Sequence, residues 1–139
     1  MNKKQIIDFV NKNQVCTLAT CDGDKPHTRG MMTYRADSKG IIFHTGESKD
    51  IYKQLQKNSN VELCFNHDNI QIRISGKAVL ENDVKLKDEI IKSRPFLNSI
   101  IVKNGYESIK VFRINEMVAT VWTMTTNLAP KEFVKLSDN

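Results

Sequence analysis

Apolar residues along this chain fall into short alternating or helically spaced groups, each closed by a polar or glycine-containing turn. Ile6, Ile7, Phe9 and Val10 form a helical stripe between Lys3 and Lys12. Residues 15–20 predict a first strand, Asp22-Gly23-Asp24 a hairpin turn, and residues 26–34 the returning second strand. A turn at residues 37–40 leads into a third strand at 41–44. Ile51, Tyr52 and Leu55 then mark one buried face of a helix over 48–57. Residues 61–65 read as a fourth strand, and 66–69 as a polar turn. Residues 70–80 form a long fifth strand with alternation that puts Gln71, Arg73 and Ser75 on one face and Ile70, Ile72 and Ile74 on the other. Asn82 or Asp83 caps a third helix that runs to about Lys92 and stops at Arg94-Pro95. A short helical connector is expected over 96–102 and a turn at Asn104-Gly105. A last strand pair at 111–114 and 117–124 and an apolar segment at Phe133-Val134 complete the pattern.

Six or seven strands joined mostly by tight turns, with flanking helices, predict a mainly β, antiparallel barrel rather than a parallel sheet. The 139 residues are read as a single domain spanning 1–139, since no linker, repeat or low-complexity tract divides them. At 40% hydrophobic and 27% charged residues, the composition is that of an ordinary globular chain with enough apolar material for a core. The longest apolar runs are far short of a membrane span. Asp8 stands where a signal peptide would have its apolar core, so a cytoplasmic location is expected. The net charge of +5 raises nucleic acid as a partner, but the lysines are spread among Asp and Glu without interleaved aromatics. Diffuse positive charge suits a small anion instead. Cys16, Cys21 and Cys64 show no paired spacing and read as reduced thiols, with Cys64 a buried, inert one in its apolar strand. His27, His44 and His67 are too scattered for a metal site. No nucleophile elbow and no G-x-G-x-x-G occur, so a nicotinamide would come and go as a substrate.

The densest chemistry lies between Phe43 and Phe65, where a strand hands hydroxyls and an ammonium to a helix start. A helix N-terminus offers N–H groups without intrahelical partners and the positive end of the dipole. Thr45, Ser48 and Lys49 add side-chain donors at the same place. Upstream, Arg29 followed by Gly30 can hold an anion while letting a flat ligand approach the backbone. Each residue also has a plainer reading. Arg29 fits an edge-strand position, Met31 and Met32 a core, Lys49 a solvated helix surface, and Gln71 an exposed strand face.

The pattern Phe43-x-Thr45, Lys49-x-x-Tyr52-Lys53-Gln54-Leu55 and Asn58-x-x-Val61-Glu62-Leu63 resembles the pyridoxamine 5'-phosphate oxidase-like superfamily of FMN-binding split barrels. Within it, the likeness is to the small nitroimidazole-resistance (Nim-like) proteins, and it extends from the first helix to Trp122. The resemblance implies that Arg29, Gly30, Met31, Met32, Thr33 and Tyr34 wrap the FMN phosphate and ring edge. It implies that His44 and Thr45 meet the phosphate side, and that Ser48 and Lys49 open the phosphate-binding helix. Gln71, five residues before Gly76, would hydrogen-bond the flavin ring, as an amide that both donates and accepts can do. Trp122 would pack, support a dimer interface or reach a flavin bound by the partner subunit. In one respect the chain departs from the family: Asp50 stands where a second basic residue is common.

These likenesses imply an FMN-dependent oxidoreductase, working as a homodimer. It would pass electrons from a transiently bound reduced nicotinamide to a small acceptor, with a nitroaromatic among the candidates. The alternative is a non-catalytic flavin- or haem-binding sensor or storage protein of the same fold. Pyridoxamine phosphate oxidation is expected less, because the chain closes on Lys135-Leu136-Ser137-Asp138-Asn139 without the additional basic C-terminal segment of those oxidases. The sequence singles out no catalytic residue.

Overall fold

The structure, a computed structural model, describes residues 1–138; Asn139, the last residue of the expected domain, lies outside the described residues. Helix α1 (Lys3–Lys12) starts where Asn2 and Gln5 cap each other. The Asn2 side chain accepts from the Gln5 N–H at 2.9 Å, and the Gln5 side chain accepts from the Asn2 N–H at 2.8 Å. Two backbone donors without helical partners are thereby satisfied. The strands and helices that follow are β1 (Val15–Asp22), β2 (Lys25–Met32), β3 (Arg35–Asp37), β4 (Gly40–Gly46), α2 (Asp50–Lys57), β5 (Asn60–His67), β6 (Ile70–Leu80), α3 (Val84–Ser93), α4 (Leu97–Asn104), β7 (Ile109–Thr123) and β8 (Val134–Lys135). Among the described residues, no helix is long and apolar enough to cross a membrane.

All strand pairs are antiparallel, in the order β2-β1-β5-β6-β7-β4-β3, with β8 beside β7. This is the antiparallel architecture expected from the pattern and the split barrel that the resemblance implies, with differences in detail. The second strand ends at Met32 instead of Tyr34. Thr33 gives its N–H to the Gln14 carbonyl at 3.0 Å, and Tyr34 gives its N–H to the Ile42 carbonyl at 2.7 Å. These two residues therefore cross from one sheet edge, β2, to the other, β3, and draw the barrel closed. The expected last strand pair is a single strand, β7. Glu116 takes a φ of 52° there and the β6–β7 register slips between Ser75 and Lys77, so Asn115-Glu116 kinks the strand without turning it back. A Cβ on Gly76 would lie 2.6 Å from the Ile114 side chain and 2.7 Å from the Asn115 carbonyl, which is why glycine stands at the kink. The helix expected from Ser48 begins at Asp50, leaving Ser48 and Lys49 in the turn before it. The connector after Pro95 is a full helix, α4, the fourth α-helix among the described residues.

The core fills the barrel with Leu18, Phe43, Phe65, Ile72, Ile74 and Ile114, and α1 adds Ile6 and Val10. A second cluster lies outside the barrel wall, where Leu86, Ile90 and Leu97 of α3 and α4 cover Ile42, Ile109 and Val111. β4 is consequently buried on both faces, whereas the edge strand β2 has no fully buried residue. Cys64, expected to be buried, is only half-buried, and Cys16 is buried. Burial pushes the Cys16 thiol up to about 12, so it stays protonated.

Candidate functional site

β2 and β4 sit near opposite ends of the sheet order, yet curling brings them to the two sides of one cleft of about 440 Å³. Arg29, Gly30, Met31 and Met32 line it from β2; His44, Thr45 and Gly46 line it from β4. Ser48 and Lys49 close one end at the start of α2, and Arg94, Phe96, Leu97 and Ile100 form the roof. The exposed edge strand supplies backbone and cation, the doubly buried strand a rigid floor, and the α3–α4 corner an apolar cover.

Arg29 is anchored through neutral acceptors. Its Nη1 donates to Thr20 Oγ1 at 2.7 Å and to the Leu18 carbonyl at 3.4 Å, and its Nη2 donates to Gln54 Oε1 at 2.7 Å. Burial lowers its pKa, and Asp50 nearby works in the opposite direction. Lys49 occupies the cap position of α2 and no side chain caps that helix; the Tyr52 N–H is taken by the Lys49 carbonyl at 3.1 Å, so the Asp50 and Ile51 N–H groups are the ones left for a ligand. Ser48 and Lys49 are both exposed, whereas Thr45 is buried. Gly30 is exposed on the cleft, and a Cβ there would meet no atom within 4 Å; any side chain would project into open space that the glycine keeps available.

Arg94 is the functional residue that the sequence reading missed. It is 8% exposed and donates to the Met32 carbonyl at 3.3 Å, the Thr33 carbonyl at 2.8 Å and His44 Nε2 at 2.9 Å. A guanidinium cannot accept, so Nε2 must be the acceptor and the His44 proton resides on Nδ1. Burial, then Arg94, then Lys49 hold the His44 pKa down to about 4, so the ring is neutral at physiological pH. The only sequence signal for Arg94 was its place before Pro95, where the chain leaves a helix. Phe96 and Ile100 were equally hidden in an expected connector; both are large apolar residues left 59% and 37% exposed at the cleft.

The remaining predicted residues lie elsewhere. Thr33 is buried, with its hydroxyl 3.2 Å from the Gln14 carbonyl, and meets the site only through its own carbonyl on Arg94. The Tyr34 hydroxyl bonds Glu89 and Ser93, and its ring lies 5.4 Å from the Arg94 guanidinium. These two residues support Arg94 and do not line the cleft. Gln71 and Trp122 are cross-strand partners at the far end of β6 and β7. Trp122 lines a separate cavity of about 390 Å³ with Ile70, Arg73 and Thr120, and its Nε1 donates to Asn127 Oδ1 at 2.8 Å. His44 pairs with Val111, and Gln71 pairs with Trp122 on the same strand. Val111 and Trp122 are eleven residues apart along β7, whereas across the sheet Arg29 pairs with Leu18, Leu18 with Leu63 and Leu63 with Ile74, three residues from Gln71.

Comparison with known proteins gives a consistent family. The profile of the pyridoxamine 5'-phosphate oxidase family matches residues 3–122. General stress protein 26 of Bacillus subtilis is 31% identical over 99 residues, covering 66% of this chain and 69% of that protein. A crystal structure of a NimC/NimA family protein from Clostridium acetobutylicum superposes with a TM-score of 0.77 at 21% identity, covering 96% of this chain and 93% of the other. A pyridoxamine 5'-phosphate oxidase-related, FMN binding protein from Nostoc punctiforme superposes with a TM-score of 0.62 at 13% identity, covering 94% and 87%. At these identities the two solved structures speak for the fold alone.

Proposed function

The chain belongs to the pyridoxamine 5'-phosphate oxidase-like family of FMN-binding split barrels, and on that footing we propose that it is an FMN-dependent oxidoreductase of the cytoplasm. It would take electrons from a reduced nicotinamide that binds transiently and pass them to a small acceptor, a nitroaromatic among the candidates. The observation that carries this reading is the convergence of Arg29, Lys49, Ser48 and Thr45 on one cleft from separate elements. Neither arginine there is hydrogen-bonded to a carboxylate, so their positive charge remains available to an anion.

The residues present fit FMN on chemical grounds. A phosphate would take charge-assisted bonds from Arg29 and Lys49 and neutral ones from the hydroxyls and the α2 start. Gly30 leaves room for a flat ring against the β2 edge, and Met31, Met32, Phe96 and Ile100 give that ring an apolar wall. His44 would offer Nδ1–H as a fixed donor across the pH range in which it stays neutral. When bound, FMN supplies the redox chemistry, and the protein supplies position, charge and exclusion of water. The cleft lining has no Asp, Glu, Cys or Tyr. Any proton that an acceptor needs would come from the Lys49 ammonium, from solvent or from the electron donor.

The proposed homodimer is supported by the cleft lining, which includes neither Gln71 nor Trp122 of the same chain. A second copy would bring its own pair to the cleft, giving two equivalent sites about a two-fold axis. The non-catalytic alternative draws support from the lack of a carboxylate, thiol or phenol in the cleft lining. For haem, His44 Nε2 is already taken by Arg94.

The test is the purified protein itself. A yellow flavin spectrum that reduced nicotinamide bleaches without oxygen, and that a nitroaromatic restores over many cycles, is the expected result. A yellow protein that reduced nicotinamide leaves unchanged would establish the binding module instead, and a colourless protein that takes up no added FMN would overturn both readings.

A further inference from the structure

The aim of Arg29 is set by two side chains that do not line the cleft. Thr20 is 1% exposed and Gln54 is 9% exposed, and together with Arg29 they form a closed triangle of hydrogen bonds. The Thr20 hydroxyl donates to Gln54 Oε1 at 2.5 Å, and the same two oxygens receive Nη1 and Nη2 of Arg29 at 2.7 Å each. Both hydrogens of Nη1 and one of Nη2 are thus engaged, counting the Leu18 carbonyl. Nε–H and the second Nη2 hydrogen have no partner among the described residues. Gln54 lies on the same buried face of α2 as Ile51 and Leu55. The helix that presents Lys49 at its start therefore also braces Arg29 from within its second turn.

The chemical identity of this brace matters. A glutamate at position 54 would have nearly the same shape and would bind a guanidinium more strongly. It would also cancel the charge that an incoming phosphate must find. An apolar residue would leave the charge intact and the guanidinium unaimed. A neutral amide avoids both losses. We propose that Gln54, seconded by Thr20, is a positioning residue for the phosphate of the bound ligand: it orients Arg29 toward the cleft without neutralising it.

This inference rests on reading the cleft as a phosphate site, and its test separates the two. FMN and riboflavin, which differ by the phosphate, are titrated against the wild type and Gln54→Glu. The expected outcome is that Gln54→Glu weakens FMN by about tenfold or more, as loss of a charged hydrogen bond does. Riboflavin should bind as before, and the melting temperature should not fall. Gln54→Leu should also weaken FMN selectively but should lower the melting temperature. Should the glutamate variant fail to fold, Thr20→Val removes one brace without adding charge, and a smaller loss confined to FMN is expected. FMN binding of the folded variants at the wild-type level, or an equal loss of FMN and riboflavin, would overturn the proposal. If the wild type binds neither flavin, inorganic phosphate followed by thermal shift decides. A phosphate-induced rise that Gln54→Glu abolishes would sink the flavin reading and keep the brace, whereas no response of the wild type to phosphate would sink both.

Discussion

The cleft beside Arg29 and the cavity beside Trp122 are similar in volume, about 440 and 390 Å³, but their polar groups are held in different ways. Around Arg29, two guanidinia are bolted in place by neutral oxygens and a histidine nitrogen, and each is fixed by parts of the chain remote in sequence. Around Trp122, the indole N–H is satisfied by Asn127 five residues away, and the tail that follows leaves Met124, Leu128 and Phe133 between 70% and 96% exposed. The first region is organised before any ligand arrives. The second has an aromatic and apolar flank of the kind that another surface covers. A pre-set cation pocket and an uncovered aromatic flank line separate cavities of one chain, and the proposed homodimer would bring them together.

The largest expected effect comes from breaking the organised region. Arg29→Ala should weaken FMN by about a hundredfold while riboflavin loses much less, because charge-assisted bonds to the phosphate disappear. Thr20 and Gln54 still bond each other in that variant, so the fold should persist; binding titrations with both flavins check this.

Joining the two regions is the next test. Arg29→Ala and the double variant Gln71→Ala/Trp122→Ala, each poor in FMN binding, are mixed, unfolded and refolded together. If the site is shared between copies, about one site in four should regain tight binding, since half the dimers are mixed and each has one intact site. No recovery would place the whole site within one chain.

The acid limb of stability comes third. His44 has a folded pKa of about 4, below its ordinary 6.5, so the unfolded chain binds the proton first. Stability should fall as pH drops from about 6.5 towards 4 and level off on this group's account below that. His44→Gln should flatten this slope in urea midpoints measured across the window.

The smallest effect is a gain. Asp50 is the acid whose charge Arg29 feels, and it sits beside Lys49 at the helix start. Asp50→Asn should tighten FMN by about two- to fivefold at low salt, with the advantage shrinking as salt rises. The same change removes an acid from the first turn of α2 and should cost about 0.3–1 kcal/mol of stability.

Much of this could be read from residue types and spacing. Alternation located β6 and β1 because one face of each is buried, and the Phe43–Lys49 segment named one side of the cleft because helix starts and hydroxyls have local chemistry. Where long-range geometry decides, the pattern was silent. Thr33 and Tyr34 look like strand residues, and only their bonds to Gln14 and Ile42 show that they bridge the two edges. Asn115-Glu116 looks like a turn, but neighbouring β6 holds β7 straight through it with Gly76 at the crowded point. Arg94 carries no motif, because its role is created by carbonyls and a histidine some 50 to 62 residues away. Gln54 left a faint mark as a polar residue on the buried stripe with Ile51 and Leu55. Gln71 and Trp122 were named by resemblance, and no spacing could say that they do not line the cleft of their own chain.

The central claim is that the Arg29–Lys49 cleft reads a phosphate on a flavin. Calorimetric titration of the wild-type protein with FMN and with riboflavin under identical conditions tests it most directly. FMN should bind at least about tenfold more tightly than riboflavin, the margin that charge-assisted bonds to one phosphate supply. Equal affinities for the two flavins would contradict the account.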